Sequence, residues 1–100
     1  MKLGILVNTD RHLEEIKAIA DAALVKGHEV SIFIIDRGAF LMGSPQFAEL
    51  AGGRKVKMRF CDYSALSVGA ETDNLPEGII CSSQLDNAIM NHECDKVIVL

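Results

Sequence analysis

Residues 57–66 read KMRFCDYSAL, and the fold turns on how this stretch is read. Val56, Met58 and Phe60 alternate with Lys57 and Arg59, the period-two pattern of a strand with one polar face. After Cys61 the alternation stops. Asp62 to Val68 reads instead as a short helix closed by Gly69. Cys61 therefore stands where a strand passes into a helix.

The same switching of periods recurs in both directions. Upstream, Leu3-Gly4-Ile5-Leu6-Val7 is a continuous apolar run bounded by Asn8-Thr9-Asp10, as expected of a strand buried on both faces. From Asp10, Leu13, Ile16, Ile19, Ala20, Ala23 and Leu24 fall on one helical stripe, which Thr9 or Asp10 can cap and Gly27 ends. Glu29 to Ile35 reads as a second buried strand, stopped by a turn at Asp36-Arg37-Gly38. Ser44-Pro45 opens a short helix through Phe47, Leu50 and Ala51, which Gly52-Gly53 breaks. Downstream, Glu71 to Glu77 is a polar loop and Gly78-Ile79-Ile80-Cys81 a short strand. Ser83-Gln84-Leu85-Asp86 resembles a capping box opening a helix that carries Leu85, Ala88 and Ile89, and Lys96 to Leu100 is a last strand.

The resulting order, βαβαβαβαβ, predicts an α/β fold: strands paired in parallel through right-handed crossovers, with helices on both sheet faces. Chemistry in such sheets collects beyond the carboxyl ends of the strands. Those ends are Asn8-Thr9-Asp10, Asp36-Arg37-Gly38, Cys61-Asp62 and Cys81-Ser82, so two of the four carry a thiol.

The bulk composition narrows the function classes. One hundred residues, 49% hydrophobic and 24% charged, support one domain, 1–100, of ordinary globular balance. A net charge of −4 argues against a nucleic-acid partner, and the one basic cluster, Arg54 to Arg59, is short and threaded through a strand. No stretch approaches the roughly 20 apolar residues of a membrane span, and the apolar part of MKLGILVNTD is too short for a secretion signal, so a cytoplasmic location is expected. Cys61, Cys81 and Cys94, an odd number without such a signal, read as free thiols.

Nucleotide binding fails at the first strand-to-helix turn, Asn8 to His12, which has no glycine to let backbone approach a pyrophosphate. Asp36 is where a ribose-binding acid would sit, yet without those glycines it reads as a turn former. No CxxC or HxxxH supplies a local metal clamp, so no metal site is assigned. His12, His28 and His92 read as surface residues, and no nucleophile-elbow motif occurs. The thiols remain. Cys94 precedes the last strand, away from the other strand ends, and Cys81 can be a core residue, since free cysteine is among the most buried types. Cys61 admits two readings: a packing residue, or a thiolate at the open rim of the sheet, favoured by the N–H groups of the helix from Asp62 and opposed by the Asp62 carboxylate.

The run Cys61-Asp62-Tyr63-Ser64-Ala65-Leu66-Ser67-Val68-Gly69 resembles the DsrE/DsrF-like family of small proteins, which includes the TusD-type subunits of sulfur relays. The family pattern of a cysteine ending the third strand, a helix of small residues with a glycine, and a final D-K-V-I-V-hydrophobic strand is matched here by Cys61, Gly69 and Asp95 to Leu100. The resemblance implies a three-layer α/β/α sandwich with a five-stranded parallel sheet, assembled as a homo-oligomer (dimer, trimer or hexamer) or with related DsrE-like subunits. It also implies a sulfur carrier or sulfurtransferase in which Cys61 accepts sulfane sulfur as a persulfide and hands it to an acceptor protein, with no cofactor. Tyr63 and Ser64 would line the pocket, and Cys81 would be the nearest candidate for a second thiol. The alternative is a non-catalytic binding or assembly module of the same fold, its cysteines structural and its pocket near Asn8, Asp36 and Cys61.

Overall fold

In the computed structural model, which describes residues 1–53 and 55–100, five strands and four α-helices follow the expected alternation. The strands are β1 (Lys2–Val7), β2 (Glu29–Ile34), β3 (Val56–Cys61), β4 (Ile79–Ser82) and β5 (Lys96–Val99). The helices are α1 (Leu13–Val25), α2 (Pro45–Ala48), α3 (Asp62–Val68) and α4 (Gln84–Glu93). All strand pairs are parallel, in the order β4-β3-β2-β1-β5.

That order decides which face each helix covers. From β1 to β4 the chain steps one way across the sheet, so right-handed crossovers lay α1, α2 and α3 on one face. The connection from β4 to β5 steps back across the whole sheet and lays α4 on the other. The three layers are unequal as a result. Ile5, Val7, Ile32, Ile34, Met58 and Phe60 meet α1 residues Ile16 and Ala20, Phe47 of α2 and Ala65 of α3 in one large core. On the second face, among the described residues, only Phe33, Cys61 and Met90 form a buried cluster, with Leu6, Ile35, Cys94 and Val97 packed around it.

Local differences from the sequence reading have physical causes. The long helix begins at Leu13, with His12 as its uncapped N-terminal residue. Thr9 cannot cap it, because its hydroxyl donates to the Leu100 carbonyl at 3.3 Å and accepts from the Arg11 amide at 3.4 Å. After β2 the chain forms an eight-residue 3₁₀ segment, Asp36–Gly43, where only a turn was expected. A second 3₁₀ turn, Glu49–Gly52, extends the short helix. Ser44 precedes Pro45 without capping, its hydroxyl bonded to Gln46 Oε1 at 3.0 Å. Ser83 does cap α4, accepting from the Leu85 amide at 3.3 Å, but Asp86 does not reach back as a capping box requires. It pairs with Arg59 of β3 at 3.3 Å. The apolar stripe expected to dock α4, Leu85, Ala88 and Ile89, faces solvent, and Met90 is the helix's buried residue. Arg54, the first residue of the basic cluster, lies outside the described residues.

Candidate functional site

Cys61 is the last residue of β3 and the residue from which α3 starts. Alternation along β3 sends Val56, Met58 and Phe60 into the large core, and Lys57, Arg59 and Cys61 to the face beneath α4. Of the two readings of Cys61, its surroundings match the packing one. Cys61 is only 5% exposed, sealed against Phe33 and Met90, and its sulfur makes no capping bond to the α3 N–H groups. Cys81, read as a core candidate, is exposed on the edge strand. The register explains the exchange: Cys81 lies beside Phe60 and Ser82 beside Cys61, so neighbouring thiols point to opposite faces.

Electrostatics at this rim disfavour a free thiolate on Cys81. Partial desolvation first, then the Asp62 carboxylate and the Cys61 thiol, push its pKa up. Arg59 of β3 is paired with Asp86 at 3.3 Å on the α4 face of the sheet. Cys94 is also raised, mainly by desolvation, and it packs where Gly4 leaves room for its sulfur.

Beside Cys61, two of the expected site residues form a built contact. Ser64 is buried on α3, its hydroxyl accepting the Asp36 amide at 2.6 Å and donating to Asp36 Oδ1 at 3.0 Å. Asp36 holds a left-handed backbone, φ +50°, at the end of β2. Tyr63 does not line a pocket, since it is 83% exposed. Asn8 follows the end of β1, separated from Cys61 by β2. Arg37 ties these rims together by its ion pair with Asp10 at 3.5 Å and its position over the Phe40 ring at 5.1 Å.

Two further features of the site escaped the sequence reading. Met90 covers Cys61 from α4, and the four-residue spacing of Asp86, Met90 and Cys94 is the signal that could have found it. The order in which the chain crosses the sheet reverses at β1, between β2 and β5, so the crevice where such folds bind small ligands lies by Asn8, Thr9 and Leu100, two strands from Cys61. A hollow of about 60 Å³ lined by Lys2, Ser31, Lys57, Met90, Glu93 and Cys94 sits at the opposite, amino edge of the sheet, away from the Cys61 rim. Among the described residues, no group of three or more His, Cys, Asp or Glu side chains is placed to hold a metal ion, and no helix is long and apolar enough to cross a membrane.

A cysteine ending the third strand of a 4-3-2-1-5 parallel sheet and entering a small-residue helix is the arrangement the sequence pattern anticipated. Comparison with protein-family models matches residues 1–100 to the DsrE/DsrF-like family. The chain belongs to that family. Among solved structures, this DsrE-like chain resembles the YchN protein of E. coli, with a TM-score of 0.73 and 17% identity over 100% of both chains. It also resembles MTH1491 of Methanobacterium thermoautotrophicum, a protein described as of unknown function, with a TM-score of 0.70 and 15% identity over 99% of this chain and 98% of that one. At such identities the likeness is one of fold. No curated protein matches the sequence.

Proposed function

We propose that this DsrE-like chain is an intracellular sulfur carrier in which Cys61 accepts sulfane sulfur and passes it to a partner protein. The observation that carries the reading is the position of Cys61, the final residue of β3 and the first turn's neighbour of α3, in a chain whose family includes sulfur-relay subunits. The Cys61 thiolate attacks the outer sulfur of a donor persulfide, the donor's S–S bond breaks, and the donor leaves as a thiolate. An acceptor thiolate then attacks the outer sulfur of the Cys61 persulfide and frees Cys61 as a thiolate, so the exchange needs no oxidant. Placement two strands from the ligand crevice suits a macromolecular donor and acceptor better than a small substrate held in the fold. Access requires α4 to move, and α4 is the element to move: Met90 is its one buried side chain.

The experiment is incubation with a persulfide donor followed by intact-mass and peptide analysis. A gain of about 32 Da, one sulfur atom, should map to Cys61 and vanish in Cys61→Ser. An adduct that survives in that variant overturns the assignment. One observation favours the second reading, an assembly module with structural thiols: the seal of Phe33 and Met90 around Cys61. A Cys61 thiol that never reacts in the native chain, with or without donor, decides for that module.

A further inference from the structure

The hollow of about 60 Å³ at the amino edge has a cause in the sheet register. Lys57 of β3, Ser31 of β2 and Gly4 of β1 stand side by side on the face beneath α4. Two residues further along the strands that face is closed, because Met90 of α4 packs on Phe33 with Leu6 beside them. Over Gly4 it is closed as well: a Cβ there would stand 3.1 Å from Val97 Cγ2 and 3.2 Å from the Cys94 sulfur. Ser31, short and polar between Val30 and Ile32, leaves the space between Met90 and Cys94 unfilled. At about 10–15 Å³ of such space per water, the hollow has room for about four to six waters, or for a ligand of about five to seven non-hydrogen atoms.

Its charged lining is Lys2, Lys55, Lys57, Glu29 and Glu93. Three of these groups are engaged: Lys2 pairs with Glu29 at 4.0 Å, and Lys55 Nζ donates to the Gly27 carbonyl at 3.3 Å. Asp95, just beyond Cys94, accepts the Lys2 amide at 2.7 Å. Among the described residues, Lys57 and Glu93 have no ion-pair partner. They stand on opposite walls. Lys57 rises from the sheet next to the Ser31 hydroxyl, whereas Glu93 is the last residue of α4, where the negative end of the helix dipole adds to its charge. One wall is therefore positive and donates hydrogen bonds, the other is negative, and Met90 supplies an apolar side between them. A simple anion drawn to Lys57 meets Glu93 across the hollow, and a simple cation drawn to Glu93 meets Lys57. A ligand carrying both charges one carbon apart satisfies both walls.

We propose that this hollow binds a small zwitterionic α-amino acid, its carboxylate on Lys57 and the Ser31 hydroxyl and its ammonium on Glu93 at the end of α4. The size of the hollow limits the side chain to the few atoms of glycine, alanine, serine or cysteine. Bound in this way the ligand bridges the sheet and α4, so any opening of the helix must first release it. At ten times its Kd it suppresses such openings about 11-fold. Met90 belongs both to this hollow and to the seal over Cys61, so the bound ligand also keeps Cys61 covered. The site itself does not depend on the sulfur-carrier reading.

Titration with L-alanine to about 100 mM tests this, read by amide chemical shifts, by alkylation of Cys94 on the wall of the hollow and by hydrogen exchange of the α4 amides. The shifts should saturate at Ser31, Lys57 and Glu93. Alkylation of Cys94 and exchange in α4 should each slow about 11-fold at ten times the Kd so measured, while alkylation of the distant Cys81 holds its rate. Lys57→Ala and Glu93→Ala, both at exposed positions that the fold does not need, should each raise the Kd at least ~10-fold, and acetate or methylammonium at the same ionic strength should protect neither Cys94 nor α4. No saturable response up to about 100 mM, equal protection by acetate or by methylammonium, or a wild-type Kd in either variant overturns the site. Protection of Cys94 with unchanged exchange in α4 places the ligand on one wall only and overturns it as well.

Discussion

The Ser64 hydroxyl holds Asp36 at two points, accepting its amide at 2.6 Å and donating to its carboxylate at 3.0 Å, and thereby fixes α3 against the end of β2. Cys61 lies one residue before that helix, so its position depends on this contact. Ser64→Ala leaves the Asp36 amide and carboxylate without these partners and should destabilise the chain by about 1–3 kcal/mol in urea unfolding. Asp36 adds its own cost through its left-handed backbone. Asp36→Gly, which relieves that cost, should be milder than Asp36→Ala by about 1 kcal/mol, although both lose the carboxylate.

Met90 decides how readily Cys61 is reached. Truncation to alanine removes the side chain that closes the small cluster with Phe33 and Cys61, at a cost of about 2 kcal/mol in stability. Because the opening of α4 becomes easier, native alkylation of Cys61 should quicken about tenfold for each ~1.4 kcal/mol taken from that opening. Cys81, already exposed, should keep its rate. Peptide-resolved labelling separates the two thiols.

The architecture was legible because βα periodicity is a local signal. Met58 and Phe60 alternating with Lys57 and Arg59, then DYSALSV ending at Gly69, reproduce β3 and α3 closely, and Gly69 takes the left-handed φ of +79° that a helix end needs. The accessibility of the site was not legible, because it depends on strand order. Only the placement of β5 beside β1 sends α4 across the second face, where Met90 covers Cys61. The outward turn of Leu85 and Ile89 has the same origin: a lone helix on a five-stranded face docks by few residues, and sequence periodicity cannot show which apolar residues will lack a neighbour. The 3₁₀ segment after β2 was missed for another reason. Its path is set by Asp36 bonding to Ser64, 28 residues away.

The raised pKa of Cys81 gives a signed pH dependence. In the native chain this thiol keeps its proton above the ordinary value of 9.0, where the unfolded chain has lost it. Its contribution to stability is therefore fully present below 9.0 and declines as the pH rises through the raised value. Native alkylation of Cys81 should likewise rise with pH and reach half its maximal rate only above pH 9.0. Asp62→Asn removes the carboxylate's share of the shift and should move the alkylation midpoint toward lower pH, read from rates between neutral and alkaline buffers.

The 3₁₀ segment that carries Asp36 to the rim passes so close to β1 that Gly38 has no room for a side chain. A Cβ there would stand 2.3 Å from the Val7 carbonyl oxygen and 3.0 Å from Val7 Cγ1, and the first of these is backbone that cannot rotate away. Gly38→Ala must therefore displace the segment from β1, at about 3 kcal/mol, the severe end for an added methyl in a packed site. Gly43, at the end of the same segment, has nothing within 4 Å of such a Cβ and no left-handed φ. Gly43→Ala should fall within about 1 kcal/mol of the wild type, on the stabilising side, because it restricts the unfolded chain. Displacement at Gly38 also pulls Asp36 from Ser64, so Gly38→Ala should erase most of the additional loss caused by Ser64→Ala. A double-mutant cycle in urea would show that coupling, and additive costs would mean that the segment holds Asp36 in place without β1.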